Sequence, residues 1–266
     1  MGQGYALWPA IWWPHRIDFD EHASAGELGL PAPSGAGLTR RAVNDRILAQ
    51  TGLGLTLKQT RIGVFGGAFD PPHNAHIALA QVACTALALD ALHIVPTGRA
   101  WHKARTLSAA EHRFAMAQLA FGGVPGVVVD DREIKRAGPT FTVDTLQAMQ
   151  AENPGAQLYL IMGADQFAAF RQWHQWQVLL EIAIVCVAAR ARINWSKDQF
   201  EGYNDLQRRF IELPLPEMAV SATQIRQLLT GGSGTSSGEN QATADLLPAT
   251  VARYIAQHQL YQAPTL

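Results

Sequence analysis

Residues 61–80 read RIGVFGGAFDPPHNAHIALA, an apolar run that stops at two glycines, turns through Phe-Asp-Pro-Pro and enters a helix-forming run past His73 and His76. Gly66 and Gly67 allow close approach to the backbone where the run ends. Residues three apart at a helix start share one face, so the two imidazoles converge. A helix start also presents unpaired N–H groups and partial positive charge, which suits phosphate. The spacing matches neither G-x-G-x-x-G nor the P-loop. A His pair can also serve zinc, but no third His, Cys or carboxylate sits at ligand spacing. Polyphosphate binding, a metal and a plain helix start stay open at this point, phosphate fitting best.

Four further groups fall just after apolar runs. PTGRAWHKARTLS carries Arg99, His102, Lys103 and Arg105 beside Trp101 and reads as anion binding rather than a solvated face. DDREIKRAGPTFTVDTL breaks at Gly138-Pro139 and enters a helix through Thr140–Thr142, whose N–H groups suit a carboxylate or phosphate, or simply a capped start. IMGADQFAAFRQWHQWQ places Gly163 and Asp165 at a strand end, where an acid often takes ribose hydroxyls. Trp173 and Trp176 follow, either as core or as a stacking surface. VSATQIRQLL starts a helix at Ser221 and Thr223 with Arg226 one turn on, a second phosphate site or a capped helix with a solvated arginine.

The elements that must position these groups alternate. Strands are predicted at RIGVFGG, ALHIVPTG, GVVVDD, QLYLIMGAD, IAIVCVAAR and RRFIELPL. Helices are predicted between them and at the end, one opened by a Ser108–Glu111 capping box and one capped by Ser221. Continuous apolar strands alternating with helices predict an α/β fold with a doubly wound parallel sheet, ligands binding outside the strands' carboxyl ends. Residues 59–266 form this domain. Residues 1–58 hold Trp8, Trp12 and Trp13 and a Gly/Pro/Ser/Ala stretch without strand-helix rhythm. They read as a poorly ordered extension, as sequence upstream of the true start, or as a tryptophan-bearing arm for a partner. TGGSGTSSGENQATAD near Gly231 reads as a surface loop.

The 266 residues carry a net charge of -1, 48% hydrophobic and 16% charged residues, a soluble globular balance without the bulk charge for nucleic acid or membranes. Cys84 and Cys186 read as buried free thiols, fitting a cytoplasmic location. No apolar run reaches the ~20 residues that span a bilayer.

Six stretches in order, GVFGGAFDPPHNAH, PTGRAWHK, DDREIKRAGPTFTVDTL, LIMGADQFAAFRQWHQW, VSATQIR and LLPATVARYIAQHQLY, resemble the nucleotidyltransferases marked by an H-x-G-H-type signature. Within that superfamily they are most similar to bacterial-type nicotinate-nucleotide adenylyltransferases, over roughly Arg61–Tyr261. Ala75 stands where that family usually has glycine. The resemblance implies a Rossmann-like nucleotidyltransferase fold and transfer of AMP from ATP to nicotinate mononucleotide in NAD biosynthesis. It implies Mg²⁺ held mainly by the ATP phosphates, with no protein ligand. It places His76 at the α-phosphate, His73 beside it on the ATP phosphates, and Lys103 on a phosphate of ATP or the mononucleotide. Gly66, Gly67 and Phe69 would line the nucleotide cleft, Asp165 would take the adenosine ribose with Gly163 giving room, and Ser221, Thr223 and Arg226 would hold the β and γ phosphates. Trp173 would stack on the pyridine, with Thr142 and the backbone around Phe141 and His174 receiving its carboxylate. The partners implied are these small molecules alone, in a monomer or homo-oligomer. Nicotinamide mononucleotide, phosphopantetheine and nucleotide binding without turnover are the alternatives.

Overall fold

The computed structural model describes residues 59–98, 107–189, 209–215, 218, 220–231 and 245–262, all within the unit Leu57–Leu266. The expectations for residues 1–58, for Lys103 and its neighbours and for the stretch 232–244 lie outside the described residues.

Six strands form one parallel sheet: β1 (Arg61–Gly67), β2 (Ala91–Pro96), β3 (Val127–Val129), β4 (Gln157–Gly163), β5 (Ala183–Ala189) and β6 (Phe210–Pro214). Their order is β3-β2-β1-β4-β5-β6. The chain winds outward from β1 through β2 and β3, then returns to β1's other side at β4 and winds the opposite way. The sheet is therefore doubly wound, as the alternating pattern predicts. The described helices are α1 (Asn74–Ala86), α2 (Ala110–Phe121), α3 (Arg132–Lys135), α4 (Thr142–Glu152), α5 (Ala164–Ala168), α6 (Trp176–Ile182), α7 (Ala222–Gly231) and α8 (Ala249–Gln257).

Alternation along each strand divides its side chains between two cores. Ile62 and Val64 of β1 with Leu158, Leu160 and Met162 of β4 pack under Leu146 and Met149 of α4 and Leu179 of α6. Phe65 with Tyr159 and Ile161 faces the other way, against Leu79 and Ala83 of α1, Met116 and Phe121 of α2, and Val251 and Ile255 of α8. Burial on both faces explains why these strands read as continuous apolar runs. Cys186 is buried in β5, whereas Cys84 on α1 is only partly so; both are free thiols.

The predicted capping box at Ser108 and Glu111 does not form. The helix begins at Ala110 with Ala109 as its cap residue and no side-chain cap. The backbone of Ser108 is held just before the cap position: its amide donates to Asp70 Oδ2 at 3.3 Å, and its carbonyl accepts from Arg113 Nε at 2.9 Å. Arg113 is 2% exposed. It also donates through Nη1 to the carbonyl of Ala68 at 3.1 Å and through Nη2 to that of Gly98 at 3.3 Å. One buried guanidinium thus ties the loops that leave β1 and β2 to the start of α2. Buried acceptors left without donors cost about 1–3 kcal/mol each. Arg113→Met, similar in length, is therefore expected to lose about 3 kcal/mol or more of unfolding free energy in urea titrations. An unchanged midpoint and slope would show that these carbonyls do not need the guanidinium.

Candidate active site

The strand order reverses between β1 and β4, and a cavity of about 1050 Å³ opens at their carboxyl ends. Such a reversal leaves a crevice because the flanking crossovers run to opposite sides of the sheet.

The first wall is the loop from β1 into α1. A Cβ on Gly67 would meet the Phe69 ring at 3.1 Å, so the bare backbone lets that ring fold beneath the strand end. Phe69 is 2% exposed and sits in the left-handed region at φ 47. Its ring meets Phe65, Phe121 and His76 edge-on at 5.2–5.5 Å. Phe69 is thus chiefly the support beneath His76, with one edge on the cavity. A Cβ on Gly66 would meet only the Val95 carbonyl oxygen, at 4.0 Å.

His73 caps α1 in an extended backbone conformation, and its ring stacks on that of His76 at 3.7 Å and 19°. The His73 amide donates to Nδ1 of His76 at 3.2 Å. An amide can only donate, so Nδ1 accepts and the neutral ring carries its proton on Nε2. His76 is thereby fixed as an Nε2–H donor. Burial lowers the pKa of His73 to about 4, so this ring is neutral near pH 7. The spacing of the pair anticipated their convergence; it did not reveal the tautomer.

The second wall is the start of α7. Ser221 Oγ accepts from the amide of Gln224 at 3.2 Å, the predicted cap. Arg226 donates through Nη1 to the carbonyl of Asp70 at 2.7 Å and through Nη2 to Thr223 Oγ1 at 3.0 Å. These bonds hold a guanidinium on the cavity against the loop that carries the histidines, and Ser221 and Thr223 line the same cavity.

The third wall is built from α4, the end of β4 and the chain running from α5 to α6. Phe141 caps α4 and Thr142 is its first residue. The Phe141 and His174 rings lie 4.4 Å apart, and Trp173 packs on Phe170 at 5.8 Å, between the single 3-10 turn (Phe170–Gln172) and α6. Gly163 ends β4 with open space around it, and Asp165 stands exposed in the first turn of α5. The described residues to which the resemblance assigns a role, from Gly66 to Arg226, line this one cavity, whereas Trp176 does not and packs against Phe170.

Two acids here escaped the sequence reading. Asp70 is 1% exposed and Glu133 is 6% exposed. Burial pushes the Glu133 carboxyl up, against opposing bonds from Thr145, Thr140 and the amide of Gly98 and the charge of Arg136. Its Oε1 accepts from the Thr145 hydroxyl at 2.8 Å. A Cβ on Gly98 would fall 2.1 Å from the Glu133 carbonyl oxygen, so this approach admits only glycine. The acid therefore ties the end of β2 to the start of α4, and in the string DDREIKR nothing separates it from the solvated charges around it. Among the described residues, no group of three His, Cys, Asp or Glu could hold a metal ion, and no helix is long and apolar enough to cross a membrane.

Residues 64–228 match the family model described as cytidylyltransferase-like. The chain is 51% identical over 202 residues to a protein of Albidiferax ferrireducens named probable nicotinate-nucleotide adenylyltransferase, covering 76% of this chain and 98% of that protein. It is 40% identical over 206 residues to one of the same name from Methylibium petroleiphilum, covering 77% and 94%. Its fold is similar to the solved structure of Plasmodium falciparum nicotinic acid mononucleotide adenylyltransferase complexed with NaAD, with a TM-score of 0.63 and 17% identity over 76% of this chain and 98% of that one.

The neutral His73 makes stability depend on pH. Above pH 6.5, its value when solvated, both folded and unfolded chains hold the ring neutral and nothing is lost. As pH falls from 6.5 towards about 4, the unfolded chain takes a proton that the folded chain refuses. Stability then declines by up to about 1.4 kcal/mol per pH unit. Urea unfolding at pH 7.5 and 5.0 should show His73→Gln losing about 2 kcal/mol less than wild type across this interval. Equal losses in the two proteins would assign the acid sensitivity to another group.

Proposed function

The chain belongs to the cytidylyltransferase-like family and, within it, to the nicotinate-nucleotide adenylyltransferases; from that premise we propose how its cavity transfers AMP from ATP to nicotinate mononucleotide, giving nicotinate adenine dinucleotide and pyrophosphate for NAD biosynthesis. A phosphate oxygen of the mononucleotide attacks the α-phosphorus, and the bond from that phosphorus to the bridging oxygen of pyrophosphate breaks. The nucleophile is already an anion, so no general base is required. Catalysis reduces to holding two phosphates in line and stabilising the charge that moves to the leaving group.

The observation that carries this reading is the fixed tautomer of His76. A preorganised Nε2–H donor at a helix start, backed by a stacked neutral ring, suits the α-phosphate oxygens. In this reading His73 adds to that contact, Arg226 with Ser221 and Thr223 holds the β and γ phosphates, and Lys103 supplies a further cation. Asp165 takes the adenosine ribose beside the open Gly163, with Gly66, Gly67 and Phe69 along the nucleotide. Trp173 stacks on the pyridine, while the N–H groups starting α4 at Phe141 and Thr142, with His174, receive its carboxylate. Mg²⁺ carried on the ATP phosphates would offset their charge. In this reading the transferase domain is residues 59–266, which a match spanning 98% of the Albidiferax protein and 76% of this chain supports.

Pyrophosphate release with ATP and Mg²⁺ is expected to be strong with nicotinate mononucleotide and weak with nicotinamide mononucleotide or phosphopantetheine. Equal turnover of acid and amide would remove the discriminating role from α4. ATP binding without turnover would replace the transferase by a nucleotide-binding regulator. His76→Ala should lower kcat by roughly a hundredfold, the usual cost of one preorganised donor. Near wild-type kcat would remove His76 from the α-phosphate. A chain beginning at residue 59 should retain full kcat/KM, and a folded but inactive truncation would make the extension part of the enzyme.

A further inference from the structure

The loop that carries His73 and His76 is held from outside by residues far along the chain. The amide of Asn74, between the two histidines, donates to the carbonyl of Leu246 at 3.0 Å. Its side-chain Nδ2 donates to the carbonyl of Asp245 at 2.9 Å. At the loop's other end Tyr261 donates its hydroxyl to Asp70 Oδ1 at 2.6 Å. The carbonyl of that same Asp70 accepts from Arg226. Thr230 Oγ1, on the helix of Arg226, lies 2.8 Å from the Arg226 carbonyl and 3.0 Å from that of Tyr261.

These anchors are themselves fixed. Leu247, Val251 and Ile255 are each no more than 3% exposed and pack α8 into the core beside α1 and α2. After α8 the chain turns back through a bond from the Leu260 amide to the Ile255 carbonyl at 3.1 Å. Tyr261 ends that turn in the left-handed region at φ 62, a conformation that non-glycine residues adopt only when their surroundings compel it. Burial and the Asp70 carboxylate both raise the phenol's pKa, so the hydroxyl stays a donor.

We propose that the segment Asp245–Tyr261 is a clamp that sets the His73–His76 loop and Arg226 in register with each other, with Tyr261 and Asn74 as its positioning residues. Neither needs to touch a substrate. Tyr261 acts through Asp70, whose carboxylate it orients and whose carbonyl holds Arg226; Asn74 acts by fixing the helix start between the imidazoles. The proposal rests on the adenylyltransferase reading for its consequence in turnover, because small displacements of positioning groups are costly in a reaction that depends on alignment.

The test uses the full chain and two variants, Tyr261→Phe and Asn74→Ala, with kinetics and amide hydrogen exchange. Tyr261→Phe should lower kcat roughly tenfold while KM for ATP and for nicotinate mononucleotide moves less than threefold. Exchange in the peptide covering residues 68–79 should rise at least threefold, with β4 unchanged. Asn74→Ala should move both quantities the same way by a smaller factor and keeps the test decisive if Tyr261→Phe folds poorly. A kcat within twofold of wild type in the folded variants, or loop exchange that does not change, would overturn the clamp. So would a loss of activity that merely tracks the unfolded fraction. A wild-type protein without turnover would sink the adenylyltransferase reading instead, and the exchange data would still decide whether the clamp exists.

Discussion

The site depends on keeping a polar loop satisfied over a dry core. The chain leaving β1 must expose its glycines to a ligand on one side and rest on Phe65, Phe69 and Phe121 on the other. Its carbonyls cannot reach water from beneath. Arg113 resolves this by spreading one guanidinium over the carbonyls of Ala68, Gly98 and Ser108. Arginine suits the position because its donors form a planar fork and it stays charged when buried. Removing a cation from water costs several kcal/mol, and only a full set of acceptors offsets that. The three segments that meet here are consequently fixed relative to one another.

The cavity combines fixed donors with few fixed charges. His73 is neutral by burial, and His76 is a donor by virtue of one backbone bond. Arg226 is the full cation among the described residues that line the walls, and its two terminal nitrogens are already oriented by Asp70 and Thr223. Such groups need not reorganise as charge shifts during a reaction, which is what makes them effective electrostatically. Glu133 serves the same end from below, joining the end of β2 to α4 without facing a ligand's charge in the open.

Much of this was legible in the sequence because it is local. Strand runs ending in Gly66-Gly67, Gly163 or Thr97-Gly98 identified the sheet edge, and the residues that follow the first two, His73, His76 and Asp165 among them, converge on one cavity. Ser221 caps its helix because its partner is three residues away. The features that escaped are those whose partners are distant. Ser108 has the same local pattern as Ser221, yet its backbone is bonded to Asp70 and Arg113 and the helix starts one residue later, with Ala109 in the cap position. Asp70 looks like an ordinary turn acid until Tyr261, 191 residues on, is placed against it. Glu133 sits in a run of charges that composition alone assigns to solvent. Local pattern specifies which groups reach the site; the bonds that join Arg226 to Asp70 and Asp70 to Tyr261 are contacts that no short window contains.

The bonds from Asn74 to Asp245 and Leu246 and from Asp70 to Tyr261 also bear on how the chain is made. A ribosome delivers the histidine loop well before its outer supports. The sheet's first strand and the apolar face of α1 can collapse during synthesis, whereas the bonds that hold the loop from outside wait for residues at the far end of the chain. The frame around the histidine loop is thus completed late in synthesis, and a nascent chain that stalls before Tyr261 carries both histidines without these outer bonds.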